Sequence, residues 1–178
     1  FENIMKTLVI IPSRMSATRL PGKPLLKING LSIISHVSKK AEEANIGDVI
    51  VATEDQEIID DVKRNGFNAI LTSNKHKTGT DRIHEALKKS NTKDVDLIMN
   101  LQGDEPAIDI DDIKSLNNKM LQNSSILGTL ASKIKDIKNL KNENIVKVIT
   151  ENTLGEKNFP RATSFLRKSE KIDNIYHH

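Results

Sequence analysis

The chain has 178 residues, 37% of them hydrophobic and 29% charged, with a net charge of +3. That composition suits one soluble domain and excludes a disordered chain. It holds no cysteine, which excludes disulfides, thiolate zinc sites and a cysteine nucleophile. Aromatic residues make up 3%, and the lysines are scattered among acids. A nucleic-acid surface needs a basic stripe with stacking rings, so no nucleic-acid partner is expected. No apolar run is long enough to span a membrane, and a cytoplasmic protein without a membrane partner is expected.

Met5 reads as the natural start, which leaves residues 1–4 as an extension. Residues 6–12 (KTLVIIP) form a near-continuous apolar run, the pattern of a strand buried on both faces. A cationic loop follows, and Asn29-Gly30 marks a turn. Ser32 can cap a helix whose apolar positions Ile33, Ile34, Val37, Ala41 and Ala44 recur at helical spacing. Residues 48–53 read as a second strand, 55–66 as a short helix ended by Gly66, and 68–72 as a third strand. Residues 78–89 open on a polar cap and run on as a helix, with Asp81 in the first turn and lysines in the last. Residues 95–102 read as a fourth buried strand, 109–121 as a helix, and 125–131 and 144–150 as strands. Strands alternating with helices at short connections predict an α/β fold with a mostly parallel central sheet. The alternation weakens after about residue 131, where hairpin-like β structure is expected. The chain stops at NIYHH without a terminating helix, so a further C-terminal part is expected.

In a parallel α/β sheet, ligands sit beyond the carboxyl ends of the strands. Two segments belong there: IPSRMSATRLPGKPL (11–25) and QGDEP (102–106). The first carries neither G-x-G-x-x-G nor a Walker A pattern. Instead Arg14, Arg19 and Lys23 stand within ten residues, enough to neutralise several charges of a polyphosphate. Gly22 lets backbone amides approach closely, and Pro21 and Pro24 stiffen the loop. A basic surface turn would look the same, and spacing alone leaves the two open. A polyphosphate needs a hard cation, and magnesium takes oxygen ligands. Asp104, just after a buried strand, is placed to supply one, although a turn aspartate would sit there too.

The segments RMSATRLPGKPL (14–25), HKTGTDR (76–82), QGDEP (102–106) and NENIVKVI (142–149) occur in this order. Together they resemble the 3-deoxy-manno-octulosonate (KDO) cytidylyltransferases, from about Lys6 to Ala162. The resemblance implies a Rossmann-like nucleotidyltransferase fold with a smaller β-rich sugar-binding and dimerisation part. It implies a single domain over residues 1–178, with 1–131 as nucleotide-binding core and 132–178 as the start of the sugar-binding part. It implies a homodimer whose substrates are CTP and KDO, with Mg2+ as cofactor. The products would be pyrophosphate and CMP-KDO, the latter feeding lipopolysaccharide synthesis. Residue by residue, it implies that Arg14 and Lys23 grip the phosphates, with Pro12, Ser13, Arg19 and Gly22 beside them. Thr78, Gly79 and Thr80 would lie along the pyrimidine, and Asp104 would ligate magnesium. Gln102, Arg161 and His178 would face the sugar acid. Arg82 either holds its loop or contacts substrate. His76 matches the motif and would shape the loop, while His84 and His36 read as structural. The family's second metal-binding aspartate has no counterpart here, and its F-S-R-A stretch reads FPRA at 159–162. An acylneuraminate cytidylyltransferase and a noncatalytic CTP-binding fragment are the alternatives.

Overall fold

The computed structural model describes residues 5–16, 20–155, 158–170 and 173–178. Arg19 therefore lies outside the described residues. The chain divides into two compact units, one up to Leu121 and one from Gln122.

The first unit is built on four parallel strands: β1 (Thr7–Ser13), β4 (Gly47–Thr53), β5 (Ala69–Leu71) and β6 (Leu97–Asn100). Their order is β5-β4-β1-β6. A two-stranded hairpin of β2 (Lys27–Ile28) and β3 (Leu31–Ser32) leads into α1 (Ile33–Glu43). Helices α2 (Gln56–Arg64), α3 (Gly79–Lys89) and α4 (Ile110–Asn123) complete the unit, the last turn of α4 crossing into the second.

Side chains alternate across a strand, and β1 shows this plainly. Val9 and Ile11 face a core with Ile34 and Val37 of α1, Ile58 and Val62 of α2, and Ile113 of α4. Leu8 and Ile10 face the other core with Ile83 and Ala86 of α3. All four β1 residues are fully buried, which is why the sequence reads as one unbroken apolar run there. The chain winds from β1 through β4 to β5 in one direction, then α3 carries it over to β6 on the far side of β1. Right-handed crossovers put helices on opposite faces when the winding direction changes. The reversal leaves a crevice beside the carboxyl end of β1.

Helix α1 starts where expected. The Ser32 hydroxyl accepts from the Ser35 N–H at 3.2 Å and donates to Asp61 Oδ2 at 2.5 Å. His36 is structural, its Nε2–H donating to the Ile28 carbonyl at 2.8 Å.

The second unit is an antiparallel sheet in the order β7-β10-β8-β9. Its strands are β7 (Ser132–Lys133), β8 (Lys147–Thr150), β9 (Ala162–Leu166) and β10 (Ile175–His177). The strand expected at 125–131 does not form. Ile126 and Leu127 there are almost fully exposed, and pairing begins only at Ser132. An apolar β-prone run becomes a strand only where a neighbouring strand offers ladder partners. The hairpin-like β structure expected after residue 131 is present. No helix among the described residues is long and apolar enough to cross a membrane.

Candidate functional site

The cleft in the first unit exists because β6 is shorter than β1. Register between them ends at Ile10–Asn100, whereas β1 and β4 stay paired to Ser13–Thr53. Pro12 and Ser13 thus run past the end of β6, and the Gln102–Asp104 turn folds against them. Gly103 makes that close approach possible: a Cβ there would lie 3.0 Å from the Pro12 carbonyl oxygen and 3.1 Å from Ile34 Cδ1.

The resulting cleft has a volume of about 330 Å³. Its wall takes Pro12, Ser13, Arg14, Lys23 and Pro24 from β1 and the loop after it. Gln102, Gly103 and Asp104 come from the turn after β6, and His76, Lys77, Thr78, Gly79 and Arg82 from the start of α3 and the loop before it. Three segments distant in sequence, each singled out above, therefore line one crevice. Lys23 Nζ and Asp104 Oδ2 are 3.0 Å apart, so the cationic loop and QGDEP do meet at the same sheet edge. Both groups are partly exposed, as ligand-exchanging groups must be.

Gly22 adopts φ 73°, a left-handed conformation that costs glycine little, and its N–H donates to the Met15 carbonyl at 3.0 Å. This turn swings Lys23 back over the sheet. Ser13 is 92% buried at the cleft floor, its exposure being 8%. Its Oγ has no hydrogen-bond partner among the described residues. A buried hydroxyl left unpaired costs about 1–3 kcal/mol, so this atom calls for a partner from the cleft.

The N-terminus of α3 is occupied by its own side chains. Thr78 Oγ1 accepts from the Asp81 N–H at 3.2 Å and lies 2.6 Å from Asp81 Oδ2. The helix-end charge is thus met by Asp81, which leaves the side-chain cations of the wall, Arg14, Lys23 and Lys77, to meet an anion. Thr80, in the first turn of α3, is exposed and not part of the wall. Arg82 is buried, donating to Thr72 Oγ1 at 2.6 Å and pairing with Glu54. Those bonds tie the β5–α3 loop to the sheet.

Two charged residues of this region were not legible in the sequence. Glu54 partners Arg82, and Glu85 binds His76, the Ser73 N–H at 2.9 Å and Lys89 Nζ at 2.7 Å. The donors from Lys89, Ser73 and His76, in that order, hold the Glu85 carboxyl down to about 2. The one available signal was the i,i+4 spacing of Glu85 and Lys89. His84 is exposed on α3, in keeping with a structural position.

Arg161 and His178 belong to the second unit. Arg161 is exposed, with its backbone N–H 3.4 Å from Glu151 Oε1. His178 packs edge-on against Phe165, and its Nε2 lies 3.0 Å from Thr129 Oγ1.

The sequence profile of the cytidylyltransferase family matches residues 8–178. A 3-deoxy-manno-octulosonate cytidylyltransferase of Rhodopseudomonas palustris is 43% identical over 97% of this chain and 71% of its own length. The chain belongs to the 3-deoxy-manno-octulosonate cytidylyltransferase family. Another such cytidylyltransferase, from Sinorhizobium medicae, is 39% identical over 99% of this chain and 71% of that protein. Among solved structures, a CMP:2-keto-3-deoxy-manno-octonic acid synthetase complexed with CTP superimposes with a TM-score of 0.84. It shares 32% identity and covers 97% of this chain and 71% of that one. The nucleotidyltransferase fold expected for this cytidylyltransferase is thus present, with its parallel four-stranded sheet.

Proposed function

We propose that this chain transfers CMP from CTP to KDO, releasing pyrophosphate and forming CMP-KDO. The observation that carries the reading is the cleft itself, lined by Arg14, Lys23 and Ser13, whose hydroxyl has no partner among the described residues. Relatives named for this reaction span nearly the whole chain.

Phosphoryl-transfer chemistry needs positioning and charge stabilisation rather than a protein nucleophile. The anomeric hydroxyl of KDO attacks the α-phosphorus in line. The bond from that phosphorus to the bridging oxygen breaks, pyrophosphate leaves with the electron pair, and the hydroxyl proton is released. Arg14 and Lys23 bind the phosphates and stabilise the charge that builds on pyrophosphate, with Arg19 as a supporting cation. Pro12, Ser13 and Gly22 bring the loop backbone and one hydroxyl to the nucleotide. Thr78 and Gly79 border the pyrimidine. Gln102, in the cleft wall, takes the sugar acid.

Magnesium fits the residues present in one mode. Among the described residues, no three carboxylate or histidine groups cluster into a closed metal cage. Asp104 is a single half-exposed carboxylate beside the cationic loop, which suits an ion shared with substrate phosphates and water. Asp104 would hold magnesium, whose charge would offset that of the triphosphate. In this reading the working form is a cytoplasmic homodimer, and its product enters lipopolysaccharide synthesis.

The test is pyrophosphate release from CTP and magnesium with KDO, N-acetylneuraminate or no acceptor. Release with KDO alone is expected. Release with N-acetylneuraminate instead would move the chain to the acylneuraminate cytidylyltransferases. CTP binding with no release from any acceptor would leave a noncatalytic nucleotide-binding module.

A further inference from the structure

The loop from Thr72 to Thr78 carries one cleft wall; its ends are tied to β4 by the Thr72 N–H on the Thr53 carbonyl and to Asp81 by Thr78, and between them it is held by two charged side chains of α3. Arg82 takes Thr72 at the start of the loop. Glu85, one turn on, takes both the Ser73 N–H and the His76 ring. Every acceptor position on Glu85 that faces the loop is thereby used. Lys89 occupies its other oxygen and also donates to the Leu71 carbonyl at 3.0 Å. This is more than a surface ion pair. The carboxylate is only 21% exposed, sits on a helix, and reaches a ring 9 residues back in sequence rather than His84 beside it.

The ring it reaches is part of the cleft wall. Once Nε2–H is donated to Glu85, the plane of the imidazole is fixed and Nδ1 is left for a second partner. A histidine on a loop would otherwise sample several rotamers, and ordering it on ligand binding would cost affinity. A charged acceptor on a rigid helix removes that cost beforehand.

We propose that Glu85 is a positioning residue of the nucleotide site: it holds His76 against the cleft, where His76 contacts bound CTP. The assignment rests on the reading of the cleft as a CTP site. Glu85 touches no substrate and acts through His76. It stays ionised at all working pH values, because its carboxyl is held down to about 2.

The experiment is a double-mutant cycle read by calorimetric CTP binding, with KM for CTP and KDO and thermal melting measured alongside. Glu85→Gln should raise the Kd for CTP about tenfold, the worth of one charge-assisted hydrogen bond. KM for KDO should change less than about twofold, since the effect falls on the nucleotide half alone. His76→Ala should raise the Kd by a similar factor. The double variant should bind no worse than His76→Ala, because Glu85 has nothing left to position. A lowered melting temperature with unchanged CTP affinity in Glu85→Gln would overturn the proposal and leave Glu85 as a staple of the loop. Losses that multiply in the double variant would also overturn it. Should Glu85→Gln fail to fold, His76→Ala with unchanged CTP affinity overturns it alone. A wild-type chain that binds no CTP would bring down the functional reading and this assignment together. CTP binding by the wild type with no effect of either substitution removes only this assignment.

Discussion

The two units solve the problem of stability in opposite ways. The first buries two continuous apolar layers on the faces of a parallel sheet and carries its cleft beside the carboxyl end of β1. The second buries few hydrophobic side chains, chiefly Leu140, Val148, Ile175 and Tyr176, and leaves Ile126, Leu127, Ile137 and Phe165 exposed. In place of a core it has a polar knot. Lys147 is fully buried, and its Nζ donates to the carbonyls of Asn142, Ile145 and Arg167 at 2.6, 2.9 and 2.6 Å. Burial, with Arg167 nearby, holds that ammonium below the usual lysine range. The Tyr176 hydroxyl accepts from the Leu154 N–H at 2.8 Å in the same manner. A sheet covered on both faces can spend its edge on chemistry, whereas a small sheet with open faces depends on directed bonds.

The contrast can be broken most sharply at the cleft. Asp104→Asn and Lys23→Ala should each lower turnover by about 10²–10³-fold while melting like the parent, since neither group supports the core. Wild-type-like turnover in either would remove the proposed roles. Next comes the apolar core. Ile34→Ala, at a position with no exposure, should destabilise the first unit by about 2–5 kcal/mol in denaturant unfolding. A smaller loss would mean the layer repacks freely.

Lys147→Met tests the polar knot. It leaves three carbonyls without the ammonium donor, and amides of β8 and β9 should exchange at least about tenfold faster while those of β1 stay protected. Unchanged exchange would show that the few apolar contacts suffice. Acid should act on the first unit through Glu85. Its folded value near 2 lies below the ordinary 4.5, so its contribution is complete above about 4.5 and is lost as pH falls toward about 2. Melts between pH 6 and pH 2 should show that slope, and Glu85→Gln should flatten it. The smallest effect belongs to Lys168, which pairs with Glu143 where both side chains are 64% exposed. Lys168→Ala should shift stability by no more than about 1 kcal/mol in thermal melts.

The first unit was largely legible in the sequence, because burial on both faces leaves long apolar runs such as Leu8–Ile11. The carboxyl-end rule then named the two segments that meet at Lys23 and Asp104. The second unit was legible in part: β8 falls within the strand expected at 144–150 and the hairpin-like β structure is present, but the strand expected at 125–131 is not, and those residues show why. Their side chains have strand propensity, but pairing depends on partners far along the chain. Glu85 escaped for a related reason: its value lies in reaching a loop that precedes the helix, and no local spacing encodes that reach. The Ser13 hydroxyl, without a partner among the described residues, is legible only in three dimensions, since a serine at the end of a strand is ordinary until its surroundings are counted.

Gly103 bears on how this cleft tolerates change. Where Pro12 and residue 103 touch, main chain meets main chain, so the gap between the two loops is gauged by peptide thickness. Side chains elsewhere can drift, repack or swap rotamers without altering that gauge. The smallest alteration that reaches it is one methyl group, which Gly103→Ala would wedge against the Pro12 carbonyl and Ile34. The opening would widen by a few tenths of an ångström, a distance that matters little to folding and a great deal to atoms that must line up in flight.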